Sequence, residues 1–185
     1  MTKTALVFLF DNVEEIEALA PIDILRRAGV SVTMVSLGDS LNVVGRSNIT
    51  ILAEKLFQDV LPDSFDAVVL PGGAGVYDIL QMPLDKIGYI TSFIKRHIDE
   101  GKIVSAICAA PYIFEKLNLL CGRKCTGHIS VEDKLPNCQS NSVVVDENII
   151  TSRGAGTAIE FALAITTALL GKTTAEQIST SICFK

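Results

Sequence analysis

Apolar runs of strand length alternate along the chain with stretches whose apolar residues recur every three or four positions. Ala5–Phe10 is an unbroken apolar run, as a strand buried on both faces requires. Glu14–Ala28 follows with apolar residues at 16, 19, 20, 24 and 25. That spacing predicts a helix, and Gly29 ends it as a C-terminal cap. Val30–Leu37 reads as the next strand, and Asp66–Leu70 as a buried strand running into Pro71-Gly72-Gly73. Leu84–Glu100 has the pattern of a long amphipathic helix stopped by Gly101. Ile103–Ile107 is another apolar strand, and Ala110–Leu117 a helix with Pro111 in its first turn, where the missing N–H is no loss. Ser142–Val145 and Ile149–Thr151 flank the polar Asp146-Glu147-Asn148 as a hairpin, and Thr157–Leu170 is a small-residue-rich helix ending at Gly171.

Strands alternating with helices imply right-handed crossovers and a mostly parallel sheet covered on both faces. The predicted fold is therefore α/β: a doubly wound, mostly parallel sheet sandwiched by helices, with a small antiparallel hairpin. No repeat or linker interrupts residues 1–185, which read as one domain. In such folds ligands bind beyond the carboxyl ends of the strands. Three segments fall there: Asp11–Glu17, Pro71–Gly75 and Ala106–Pro111.

Composition narrows the function. A formal charge of −5 and 6% aromatics with no Trp argue against a nucleic-acid surface. The first apolar run is too short for a signal-peptide core and meets Asp11 and two glutamates at once. Phe161–Leu170, broken by Thr166 and Thr167, falls short of the ~20 residues a membrane span needs. Five irregularly spaced cysteines suggest reduced thiols in the cytoplasm.

The sharpest chemical signal is Ala106-Ile107-Cys108-Ala109-Ala110-Pro111. A strand ends and a helix begins with a nucleophile-type side chain at the corner, and the small flanking residues are what such a tight turn requires. The helix N-terminus that follows would stabilise a thiolate and lower the Cys108 pKa. The alternative is a buried cysteine acting as a small hydrophobe. Gly72 and Gly73, at the end of another strand, either turn their backbone N–H groups to the cleft as oxyanion donors or form a plain turn. The G-x-G-x-x-G dinucleotide spacing is absent. Glu14 and Glu15 suit the positive end of a helix and solvent. Glu17 shares a helix face with residues that should meet the sheet. It is either a partly desolvated general acid/base with a raised pKa or a solvated glutamate. His97, flanked by Lys95, Arg96 and Asp99, reads as solvated. His128 follows Cys125-Thr126-Gly127 where it could reach the cleft, and a Cys–His pair is the minimum for thiol catalysis. Cys121, Cys125, Cys138 and His128 also hold the atoms for a zinc site, in no standard spacing.

These motifs together resemble the ThiJ/PfpI superfamily. The resemblance is carried by Asp11-x-x-Glu14-Glu15-x-Glu17, Pro21-x-Asp23-x-x-Arg26-Arg27-Ala28-Gly29, Val68–Gly73, Ala106–Pro111 and Ile150–Thr157, in that order over nearly the whole chain. It is closest to the branch that holds the parkinsonism-associated protein deglycase and its bacterial relatives. The resemblance implies a flavodoxin-like sandwich and a homodimer. It makes Cys108 the nucleophile, Glu17 the carboxyl hydrogen-bonded to its sulfur and His128 the nearby histidine, with Gly72, Gly73 and Ala109 lining the oxyanion and substrate site. It assigns no role to Arg46, Cys121, Cys125, Cys138 or Cys183. The expected activity is a cofactor-free, metal-free, cysteine-dependent glyoxalase or deglycase acting on methylglyoxal-type dicarbonyls or glycated protein. A redox sensor or chaperone built on the same thiol is the alternative. A thiol peptidase or amidase would need an acidic partner for His128, which the sequence does not offer.

Overall fold

The computed structural model describes residues 2–184. Its central strand β1 (Thr4–Leu9) pairs in parallel with β2 (Ser31–Ser36) on one side and β6 (Ala67–Leu70) on the other. The full sheet runs β5-β2-β1-β6-β7-β9-β8, with β5 at Lys55–Leu56, β7 at Ile103–Ile107, β8 at Val143–Asp146 and β9 at Ile149–Ser152. Every pairing is parallel except β8 against β9, the hairpin that the polar turn residues predicted. The doubly wound α/β fold is the observed one.

Period-two alternation explains the two layers, because successive strand side chains point to opposite faces. Leu6 and Phe8 of β1, Val68 and Leu70 of β6, and Val104 and Ala106 of β7 enter one core. Ala5 and Val7, Ala67 and Val69, and Ile107 enter the other. The first core is closed by α3 (Leu84–Asp99) and α4 (Pro111–Lys116), which supply Ile90, Phe93, Ile94, Ile113 and Phe114. The second is closed by α1 (Glu15–Arg27) and α5 (Ala158–Leu170), through Ile22, Leu25, Phe161 and Ile165. Among the described residues no helix is long and apolar enough to cross a membrane.

Several elements lie outside the sequence expectation. β3 (Asn42–Val44) and β4 (Thr50–Leu52) form a separate antiparallel pair, too short to show a period. The helices α2 (Val76–Leu80) and α6 (Lys172–Ser181) carry few buried apolar positions, so neither has a clear apolar stripe. Two residues placed in solvent by the sequence are buried. His97 is wholly buried, its Nδ1 donating to the Phe93 carbonyl over 2.8 Å and its Nε2 accepting from the Phe65 N–H over 3.1 Å. Burial holds its pKa below the usual histidine range, and these partners fit a neutral ring. Glu15 is also buried and accepts the Ser47 N–H over 2.7 Å. Both residues have partners distant in sequence, which local patterning does not reveal.

Candidate active site

The chain between β7 and α4 turns at Cys108, whose φ of +65° lies in the left-handed region. A non-glycine residue sits there only when its surroundings hold it. Two long-range backbone bonds do so: Cys108 N–H donates to the Ser152 carbonyl over 2.9 Å, and the Cys108 carbonyl accepts from His128 N–H over 2.8 Å. Ala106 and Ala110 on either side are fully buried, so the turn closes only with small side chains. The Cys108 side chain is partly open, and the backbone N–H groups of Ala109 and Gly73 reach its sulfur.

Glu17 is the third residue of α1, in its first turn, and is 1% exposed. The Gly72 N–H donates to its Oε2 over 2.9 Å. Its carboxyl is also within hydrogen-bonding range of the Cys108 thiol, while Oε1 finds no donor of ordinary geometry. Gly72 is required by space, since a Cβ there would stand 2.6 Å from both the Cys108 Cβ and Glu17 Oε2.

Burial pushes the Glu17 carboxyl up to about 7, against the opposing pull of the thiol and of the Gly72 N–H. Burial also pushes the Cys108 thiol up to about 12, reinforced by the Glu17 carboxylate beside it. This corrects the expectation of a thiol lowered by the helix N-terminus. The N–H groups of Ala109 and Gly73 do favour the thiolate, but desolvation and the neighbouring carboxylate outweigh them. Two adjacent anions are strongly disfavoured, so the pair titrates as a unit. It carries one negative charge above neutrality, and a thiolate arises when Glu17 holds the remaining proton.

His128 reaches the same place through the bond from its own N–H to Cys108. Its Nδ1 accepts from the Ser130 N–H over 3.2 Å and lies 2.9 Å from the Ser130 hydroxyl. A neutral ring accepting at Nδ1 carries its proton on Nε2. The orienting partner is a serine, where a thiol peptidase would have a carboxylate.

Gly154 marks where the three side chains converge. A Cβ placed on it would lie 3.6 Å from His128 Cδ2, 3.7 Å from Glu17 Oε1 and 3.8 Å from Cys108 Sγ. Its turn is fastened by Thr157, whose Oγ1 donates to the Gly154 carbonyl over 2.8 Å. An open cleft of about 560 Å³ lies over it, lined by His128, Ser142, Arg153, Gly154 and Thr157 among others. Sequence reasoning did not single out Gly154 or Arg153 as site residues. The available signal was Ser152-Arg153-Gly154 following an apolar strand, the same strand-to-glycine change that flagged Gly72. The structure thus brings together Cys108, Glu17, His128, Gly72, Gly73 and Ala109. Cys125 and Cys138 of the candidate zinc set are neighbours, but among the described residues no three His, Cys, Asp or Glu side chains are grouped so as to share a metal ion. Glu14 is half-buried and paired with Arg46, 2.9 Å away.

Fold and site together define a doubly wound α/β protein with a thiol at a strand-to-helix corner and a buried carboxyl beside it. The chain belongs to the DJ-1/PfpI family, whose pattern matches residues 3–168. It is 39% identical to Protein DJ-1 homolog A of Arabidopsis thaliana over 180 residues, 96% of this chain but 45% of the plant protein. The chain thus spans under half of that relative. It is 36% identical to Protein dj-1beta of Drosophila melanogaster, covering 97% of this chain and 96% of the fly protein. The solved structure of that fly protein superposes with a TM-score of 0.91 at 34% identity, over 99% and 98% of the two chains. The Glutathione-independent glyoxalase DJR-1.2 of Caenorhabditis elegans is 30% identical, over 98% of this chain and 96% of the worm protein.

Proposed function

We propose that the protein is a cofactor-independent glyoxalase or deglycase acting on methylglyoxal-type dicarbonyls or their early adducts on protein. The observation that carries this reading is the contact of the buried Glu17 carboxyl with the Cys108 thiol, next to Gly154 and His128 of the cleft and beside two backbone donors. The reaction needs a nucleophile, a group that moves one proton between adjacent carbons, and donors for a developing oxyanion. Cys108 sulfur attacks the aldehyde carbon of methylglyoxal, giving a hemithioacetal. Gly73 and Ala109 N–H groups hold its oxygen. The Glu17 carboxylate removes the proton from that carbon and returns it to the neighbouring carbonyl carbon, leaving a thioester of lactate. Water then releases lactate and restores the thiol, so one dicarbonyl and one water become one hydroxy acid. His128, with its Nε2 proton, donates to the substrate oxygen. No external redox partner is required, because the aldehyde is oxidised as the ketone is reduced. The name of the worm relative supports this class of activity.

A second reading, a peroxide sensor, is favoured by the same two N–H groups at the Cys108 sulfur, which would also hold a sulfinate oxygen. We further propose that the protein acts as a homodimer in the cytoplasm, where five free thiols stay reduced. The deciding experiment incubates the purified protein with methylglyoxal, without glutathione, and follows lactate. Lactate release that is lost in a folded Cys108→Ser variant supports the enzyme. No lactate above buffer, with Cys108 shown to be free, removes it in favour of the sensor.

A further inference from the structure

Two cysteines outside the site are neighbours across an isolated strand contact. Cys125 and Cys138 are paired as a parallel bridge, with Gln139 N–H donating to the Cys125 carbonyl over 2.7 Å. Residues paired in this way direct their side chains to the same face, and strands so paired lie about 4.8 Å apart. That spacing falls within the roughly 4.4–6.8 Å between Cα atoms that a disulfide spans. Both side chains pack on the same core. Cys125 is fully buried, with its thiol donating to the Pro136 carbonyl over 3.0 Å, whereas Cys138 is partly open. The Gly127 N–H reaches the Cys138 sulfur. The next residue, His128, holds the Cys108 carbonyl through its own N–H.

We propose that Cys125 and Cys138 are a reversible dithiol–disulfide pair whose oxidation resets the loop that carries His128. The oxidant is hydrogen peroxide. Cys138, the accessible partner, attacks a peroxide oxygen; the O–O bond breaks, water leaves, and a sulfenic acid forms. Cys125 sulfur then attacks the Cys138 sulfur. The S–O bond breaks, and the departing hydroxyl takes the Cys125 proton as a second water. Two thiols and one peroxide become one disulfide and two waters. Closing that bond removes the thiol donor from the Pro136 carbonyl and turns the Cys138 sulfur away from Gly127. The segment Thr126–His128 shifts with it, taking the His128 ring out of the cleft. Burial keeps both thiols protonated, so the pair answers sustained peroxide and spares the reduced site in its absence. The effect on turnover depends on the dicarbonyl reading above; the covalent bond does not.

Trypsin distinguishes the outcomes, because Lys134 lies between the two cysteines and Lys124 just before them. Cys108→Ser protein is treated with peroxide, blocked with iodoacetamide and digested without reductant. Peptides 125–134 and 135–153 should then appear joined, lighter than their sum by two hydrogens, and separate on adding dithiothreitol. Separate alkylated or sulfinic peptides, or a link to Cys121 or Cys183, would overturn the pair. In the parent protein, dithiothreitol should restore peroxide-suppressed turnover several-fold more than in Cys138→Ser. Equal recovery in both would sever the pair from the His128 loop. Failure of the enzyme reading shows separately, as absent turnover in the fully reduced parent.

Discussion

The Gly72 N–H donates to Glu17 Oε2 over 2.9 Å inside the fold, fixing one oxygen of a carboxyl whose other oxygen is buried without a hydrogen-bond donor. A backbone donor cannot leave with a side-chain rotation. The carboxyl is therefore held against the Cys108 sulfur whatever its protonation state, and thiol and acid share their protons.

That sharing sets the pH dependence of Cys108. Below about 7 the pair is neutral, with protons on both groups; above it one proton is lost. Thiolate then exists only in the fraction of molecules where Glu17 keeps the remaining proton, a fraction that does not change with further rise in pH. Alkylation of Cys108 by iodoacetamide should climb through pH about 7 and then level off well before the thiol's own titration near 12. A rate that keeps rising tenfold per pH unit to pH 10 would show that the two groups titrate independently.

Glu17→Gln should stabilise the fold near neutrality while removing turnover. The folded carboxyl titrates near 7 against an ordinary value of 4.5. The unfolded chain thus releases its proton first, so the neutral acid's contribution is full below 4.5, fades between 4.5 and 7, and is gone above. Glutamine loses nothing over that window and can still accept from Gly72. The variant should gain about 1–3 kcal/mol at pH 7.5 and close to none at pH 4. Urea unfolding at both values checks this; a gain of the same size at pH 4 would assign it to packing.

How much of this was visible in the chain follows from how local each cause is. β1, β6 and β7 were legible because strands buried on both faces must be unbroken apolar runs, and Cys108 because a tight turn needs small residues beside it. Glu17 was marked by its helix face, yet its burial depends on Gly72, fifty-five positions away. Glu15 and His97 misled for the same reason. The helix end beside Glu15 and the charged neighbours of His97 suggested solvent, while their actual partners include Ser47 and Phe65. The direction of the Cys108 shift was also misjudged, because the helix end is local and visible, while the burial that raises the thiol most comes from the tertiary packing and adds to the effect of the Glu17 carboxylate.

Self-association should use α1 and the β3–β4 ribbon. Ile16 and Leu19 stand 57% and 43% exposed on α1, and Val44, Ile49 and Leu52 stand 41%, 53% and 63% exposed nearby in sequence on and beside the ribbon. The ribbon's loop is tied to α1 by the Glu15–Ser47 and Glu14–Arg46 contacts. Exposed apolar side chains gathered on tied elements mark an interface. Sedimentation should give about twice the chain mass of 19.9 kDa, and Ile16→Asp should halve it. A monomeric parent at micromolar concentration would refute the dimer.

Gly154→Ala tests the cleft itself. The added methyl would sit 3.6–3.8 Å from His128, Glu17 and Cys108, in ordinary contact with all three. It displaces none of them, but it occupies the point at which a substrate carbon must lie to meet sulfur and carboxyl together. The Gly154 backbone, at φ +155°, adds strain that an alanine tolerates poorly. Gly156 supplies the control, since a Cβ there meets nothing within 4 Å. Gly154→Ala should lower kcat/KM for methylglyoxal on the order of tenfold or more, equivalent to about 1.4 kcal/mol of transition-state binding. Gly156→Ala should stay near the parent value. Thermal unfolding of both variants separates strain from blockage: a melting temperature close to the parent's, together with lost turnover, places the methyl in the substrate's space. Equal turnover in all three proteins would mean that the chemistry happens elsewhere than above Cys108.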